Sequence, residues 1–305
     1  MTDLPIVNKV NPAAVRSKYA HFLGCVMPAK MPWAESAIMK TLPGLGIDLE
    51  YLPKSGCCPR AGVWISVDRR VWLTLASYNL LQAESAGRDV LVSCNGCYVT
   101  LYEANKVLKE NPEDLAMVNQ YLAAAGKHYE ADIRIRHLLE VLYEEVGIER
   151  IRREAKKIHI RVAIHPGCHM RIFEDGHLVR YFTELTEALV DEVVPYDCER
   201  MCCGLQCNLA DREFATYDRA KRKFDSVKAQ NVDALVLVCA GCYDQFERAS
   251  KTLKETDGYD FDVPVIHLAE LLAISYGLRP DDIGMRYMRT APVDTLIEKL
   301  ETSVQ

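Results

Sequence analysis

The sequence predicts an α/β protein of two pseudo-symmetric tandem domains with mainly parallel sheets, its cysteine loops converging at the domain interface. Three observations carry that expectation. Ten of the twelve cysteines fall into one arrangement written twice: Cys25, the pair Cys57 and Cys58, then Cys94 and Cys97; and Cys168, the pair Cys202 and Cys203, then Cys239 and Cys242. The intervening residues number 31, 35 and 2 in the first copy and 33, 35 and 2 in the second. Each cysteine group also ends a short apolar run and precedes a segment of helical character. Finally, 305 residues is the length of about two domains, the number the doubled motif gives.

The runs KYAHFLG, IDLEYLP and DVLVS in the first half, and HIRVAIHPG, DEVVPYD and ALVLV in the second, are short and rich in β-branched residues, the pattern of buried strands. Helices are expected over 71–86, 98–109 and 213–230. Strand–loop–helix alternation builds a parallel sheet, and in such sheets the loops at the carboxyl ends of strands meet in a crevice where ligands bind. All six cysteine loops lie at that end. Beyond the cysteines the repeat continues as IRIRHLLEVL and VPVIHLAELL, which places His137 with His267 and Glu140 with Glu270. The expected organisation is an N-terminal extension over 1–17, cysteine-rich domains over 18–150 and 158–278, and a tail over 279–305. The tail's VDTLIEKLE has the spacing of a short amphipathic helix that packs on the body or on a partner. The basic residues Arg150, Arg152, Arg153, Lys156 and Lys157 read as a solvated inter-domain segment.

Apolar residues make up 49% and charged ones 26%, the balance of a folded globular chain. A net charge of −6 argues against nucleic acid as a partner, since that affinity rests on clustered Lys and Arg. The N-terminus lacks a signal-peptide pattern, and no run approaches the roughly 20 apolar residues that span a bilayer. The expected compartment is the cytoplasm, where twelve cysteines read as metal ligands or redox groups rather than disulfides. Thiolates are the soft ligands of iron–sulfur clusters and of zinc. A structural zinc or a cubane cluster takes four, and each copy offers five, so a spare or bridging thiolate is implied. Zinc in one or both halves stays open as the alternative, in a zinc-stabilised assembly module. A ferredoxin spacing, Cys-x2-Cys-x2-Cys-x3-Cys-Pro, is absent.

The segments FLGCVMP, SGCCPRAGVW, VSCNGCYVTL, GCH, MCCG, GCYDQF and VIHLAELL resemble the cysteine-rich CCG domains, and in this order they look like the B subunit of heterodisulfide reductase, over about 18–277. The resemblance implies two noncubane [4Fe-4S] clusters. Cys25, Cys57, Cys58, Cys94 and Cys97 would hold one, and Cys168, Cys202, Cys203, Cys239 and Cys242 the other. It implies S–S chemistry on a disulfide lying between the clusters, with electrons from two partner chains of the same complex, one with ferredoxin-type clusters (the C chain) and one with flavin (the A chain). The second motif runs Cys202-Cys203-Gly204-Leu205-Gln206-Cys207, where methanogen proteins of this type tend to carry glycines and an alanine. This departure brings in the related complexes of sulfur oxidisers, which act on small-molecule or protein-bound sulfane sulfur. An electron-transfer component of a 2-hydroxy acid or quinone oxidoreductase is the rival reading, because related cysteine-rich domains serve such enzymes.

Around the motifs, His21, His165 and His169 are placed to donate hydrogen bonds to cluster sulfur or to pack as structural histidines. Arg60 and Arg171 are candidates to meet an anionic substrate, or to make surface salt bridges. His137 and His267 read as structural, Cys198 and Cys207 as alternative ligands, a persulfide acceptor or small buried residues near the second set, and Trp33, Trp64, Trp72, Tyr98 and Tyr243 as walls of site or core.

Overall fold

The computed structural model describes residues 17–304 apart from 53, 173–175 and 287–288, so the expected N-terminal extension lies almost wholly outside the described residues. Eight strands form two four-stranded parallel sheets. β1 (Ser17–Phe22), β2 (Ile47–Tyr51), β3 (Asp89–Val92) and β4 (Ile135–His137) pair in the order β2-β1-β3-β4. β5 (Ile158–His165), β6 (Val190–Val193), β7 (Ala234–Leu237) and β8 (Val265–His267) repeat it as β6-β5-β7-β8. The central runs are buried along their length, Val90 to Val92 and Ala234 to Val238 among them, as a sheet covered on both faces requires. In each sheet the strand order reverses between its first and third strands, the place where α/β sheets bind ligands. Cys25 and Cys94 follow that pair in one half, and Cys168 and Cys239 in the other.

The expected helices appear as Arg69–Ser85, Asn95–Glu110 and a continuous run over 212–228 that widens into π-helix at Ala215–Lys221. Asp68 caps the first, its carboxylate accepting from the Arg70 amide at 2.8 Å. β4 and β8 were not foreseen as strands: each is three residues long, and its sequence reads on into a helix. The recurring His-Leu-x-Glu is what ends them. His137 Nδ1 accepts from the Leu139 amide at 3.2 Å while Glu140 accepts from the His137 amide at 2.7 Å. His267 and Glu270 repeat this capping box at 3.1 and 2.8 Å. The structural reading of both histidines thus acquires a cause.

The two halves exchange cover. Helix Pro32–Thr41 of the first half packs on Leu268–Ser275 of the second, and His177–Leu189 of the second packs on Leu138–Glu140 and Ile148–Glu154 of the first. Hydrogen bonds cross beneath the cysteine loops: Asn95 Nδ2 donates to the Pro166 carbonyl at 2.9 Å, and His267 Nε2 to the Ser93 carbonyl at 3.1 Å. The tail helix Asp294–Val304 packs on the body, burying Leu296, Ile297 and Leu300. Ser303 accepts there from the His159 amide at 3.0 Å. No helix among the described residues is long and apolar enough to cross a membrane.

At the seam, Trp33 of the first half meets Tyr243 edge-on at 5.9 Å and lies 4.4 Å beneath the Arg289 guanidinium, which pairs with the fully buried Glu270. Removing one partner of a buried ion pair strands the other charge. Arg289→Met is therefore expected to destabilise the fold by about 3–5 kcal/mol. The measurement is the urea unfolding midpoint, and Glu270→Gln added to Arg289→Met should recover part of the loss.

Candidate metal centre

Each first-copy cysteine is set by the strand it follows. Cys25 comes three residues after β1, Cys57 and Cys58 lie in the loop after β2, and Cys94 directly precedes helix Asn95–Glu110. Cys97 then falls in that helix's first turn, on the side of Cys94. The second half repeats every placement, with helix Ala240–Asp257 carrying Cys242. Asn79 pins the first pair, accepting from the Gly56 amide at 2.9 Å and donating to the Cys57 carbonyl at 3.2 Å.

All ten cysteines line one cavity of about 730 Å³, its open mouth included. None of the twelve cysteines is joined in a disulfide. Cys25 and Cys57 stand exposed at the mouth with Sγ atoms 3.7 Å apart, and Cys168 and Cys202 are 3.8 Å apart in the second set. Four sulfurs held about 2.3 Å from one metal are separated by about 3.8 Å along the tetrahedron's edges, so these pairs have the spacing of ligands sharing a metal. Cys58 and Cys97 are closer, at 3.0 Å. The sets meet at Cys94 and Cys239, whose sulfurs are 3.8 Å apart across the domain interface. His165, Cys203 and Cys242 also bring their ligand atoms within 4.8 Å of one another.

So many thiols in one buried space cannot all ionise on their own. Hydrogen bonds with Cys57 and Cys97 pull Cys58 down to about 6, and those with Cys168 and Cys203 pull Cys202 down to about 2. The partners respond in the other direction: Cys97 is held well above an ordinary thiol by its hydrogen bonds with Cys58 and Cys94 and by burial, and Cys168 by Cys202 and by burial. Making all ten thiolates at once requires compensating positive charge inside the cavity. Iron or zinc would supply it, and five sulfurs per half exceed the four that zinc takes.

Of the other residues singled out by sequence, Arg60 and His169 line the cavity. Burial lowers the His169 imidazole, and the ring stands over Gly96, where a side chain would begin 3.6 Å from its Nδ1. Arg171 lies instead in a neighbouring groove with Arg180 and Arg200. His21 is fully buried behind the first set and bonded to Ser93 Oγ at 2.9 Å. Trp33, Trp72, Tyr98 and Tyr243 belong to the core, whereas Trp64 is 40% exposed and walls neither core nor cavity. Cys198 and Cys207 are half-buried rather than buried, and they lie outside the cavity lining. Cys198 instead anchors its loop, its amide donating to Ser226 Oγ at 3.3 Å, and Cys207 opens a short 3-10 turn. Sequence reasoning passed over Asn79, Asn95, Gln206 and Lys223. For Lys223 a signal existed, a lysine on the apolar side of a helix.

A family model described as a cysteine-rich domain (CCG) matches residues 19–102 and again 162–247. The B subunit of the ferredoxin:CoB-CoM heterodisulfide reductase of Methanosarcina mazei is 35% identical over 298 residues, covering 94% of this chain and 98% of that protein. A protein of Archaeoglobus profundus described as like the heterodisulfide reductase B subunit is 32% identical, covering 93% and 98%. More distantly, the 8-methylmenaquinol:fumarate reductase membrane anchor subunit of Wolinella succinogenes is 25% identical, covering 90% and 97%.

Gly204, directly after the second cysteine pair, has a φ of 94°, and a methyl there would lie 2.9 Å from both the Ala215 carbonyl oxygen and Arg219 Cβ. Gly204→Ala is expected to cost about 1–2 kcal/mol from the left-handed backbone alone, with the clash added. At Gly241 the nearest contact, at 2.8 Å, is the flexible end of Leu205. Thermal melts of the two alanine variants should therefore show a large drop for Gly204→Ala and a small one for Gly241→Ala.

Proposed function

Because the chain belongs to the family of heterodisulfide reductase B subunits, which are cysteine-rich domain proteins, we propose that it is the sulfur-reacting component of a multi-subunit oxidoreductase. Its two cysteine sets would hold two noncubane [4Fe-4S] clusters: Cys25, Cys57, Cys58, Cys94 and Cys97 the first, and Cys168, Cys202, Cys203, Cys239 and Cys242 the second. The observation that carries the reading is that two five-thiol sets open on one cavity and meet at Cys94 and Cys239, 3.8 Å apart.

Such clusters supply one-electron transfer and iron sites for sulfur. Cleaving a disulfide takes two electrons and two protons and releases two thiols, and forming one reverses that balance. Two equivalent sets on a single cavity suit a substrate with two sulfurs. The chain's own residues hold and orient that substrate. Cys25 and Cys57 stand at the solvent side, Arg60 from one half and His169 from the other flank the approach, and the buried floor of Cys94, Cys97, Cys239 and Cys242 keeps water away. The substrate class is a disulfide or a sulfane sulfur, small or protein-bound. The electrons pass to or from a partner chain with ferredoxin-type clusters, joined by a flavin-bearing one.

The test is iron and acid-labile sulfide content with EPR on anaerobically purified protein, before and after adding a thiol under oxidising conditions. The expected result is about eight irons per chain with a paramagnetic signal that appears on thiol binding. Zinc without sulfide would end this reading, and clusters indifferent to every thiol, disulfide and persulfide would leave an electron relay. Cys57→Ser and Cys202→Ser should each remove roughly half of the iron, and unchanged iron in both would overturn the ligand assignment.

A further inference from the structure

The two cysteine sets are near copies, but what lies behind their sulfurs is not. Three residues before the first cysteine of each set stands Phe22 in one half and His165 in the other. Both end the first strand of their sheet, paired with Val92 and Leu237, and both are fully buried. A methyl placed on Gly24 would meet Cys97 Sγ at 2.9 Å and Phe22 Cε1 at 3.6 Å, and one on Gly167 would meet Cys242 Sγ at 3.6 Å and His165 Nε2 at 3.8 Å. The imidazole thus occupies the place of the phenyl ring. Neither of its nitrogens has a hydrogen-bond partner in the protein, and its ligand atom lies within 4.8 Å of those of Cys203 and Cys242. A buried N–H without a partner is costly, and sulfur on the cavity side is what it can meet.

A second difference lies in how each half pins its cysteine-pair loop. The first uses the neutral amide of Asn79. The second uses the ammonium of Lys223, which is fully buried and donates to the carbonyls of Cys198 and Glu199 and to the Tyr196 hydroxyl, the last two at 3.2 Å. Burial pulls this amine down to about 8, and its three hydrogen bonds all run to oxygen acceptors, the pattern of an ammonium. The His165 imidazole carries at least one N–H in either protonation state.

We propose that the second site is the more easily reduced of the two, because His165 donates its N–H to sulfur there and the Lys223 ammonium lies behind it. The first site has a phenyl ring and a neutral amide in those roles. Hydrogen bonds to cluster sulfur and nearby positive charge both stabilise the more negative, reduced state and raise the potential. The inference rests on the iron–sulfur reading above, and it makes His165 and Lys223 tuning residues rather than catalytic ones. An electron from a one-electron donor settles on the second site first.

The experiment is an EPR-monitored redox titration with dithionite on the anaerobic holoprotein, with iron and sulfide measured alongside. Two separate midpoints are expected. His165→Phe, which copies the first half, should lower the upper midpoint and leave the other in place, and Phe22→His should raise the lower one. Lys223→Gln should again lower the upper midpoint, and Lys223→Arg should keep it. One midpoint common to both sites at full iron content overturns the proposal alone, as do two midpoints unmoved by His165→Phe and Phe22→His. If His165→Phe sheds iron, Phe22→His, which removes no polar group, decides. A protein without iron and sulfide overturns both this inference and the function it rests on.

Discussion

Parallel strand polarity is the constraint on which the rest depends. A parallel sheet delivers every strand's carboxyl end to the same edge. Three consecutive loops in each half therefore open side by side, though their cysteines are separated by tens of residues. The sheet order then adds the second requirement, that the loops after the first and third strands diverge around a crevice. Two such edges set face to face make the cavity. The contacts that hold them so, Asn95 to Pro166 and His267 to Ser93, lie at the same strand ends as the cysteines. The geometry of the sulfurs is thus inherited from backbone hydrogen bonding and from the seam between halves.

The strands that matter for the site were readable because a doubly covered parallel strand is a short run of β-branched residues, and the cysteines mark its end. DVLVS and ALVLV are such runs, and the structure begins and ends them within a residue of that reading. β4 and β8 were not readable in the same way, since three residues leave no periodicity to detect and the following His-Leu-x-Glu belongs to a helix start. The exchange of helices between halves has no local signature at all. Helix Pro32–Thr41 lays Trp33 under Arg289 of the second half, a contact between residues too far apart in sequence to be read from either segment.

Within the site, the cysteines were legible as a pattern and their neighbours much less so. Lys223 breaks the ordinary association of lysine with solvent, and it does so by finding two carbonyls and a hydroxyl inside the protein. His165 is visible as a histidine near Cys168, but its lack of a partner is a property of the folded surroundings. Arg171 was placed by sequence proximity to Cys168, and the short turn at His169–Ile172 turns it to a different groove. Nearness along the chain says little about direction once the strand has ended.

The walls of the cavity are protein contacts: the sheets, the capping boxes and the crossed helices lie behind the cysteine loops. In a small zinc domain the metal is the scaffold, and folding waits for it. Here a core of two sheets stands behind the cysteine loops, and the way to the sulfurs is set by shape. Cys25 and Cys57 are open to solvent while Cys94, Cys97, Cys239 and Cys242 are buried. Whatever enters the cavity meets Cys25 and Cys57 before the buried sulfurs, so the mouth is a threshold that imposes an order of encounter on the cysteines.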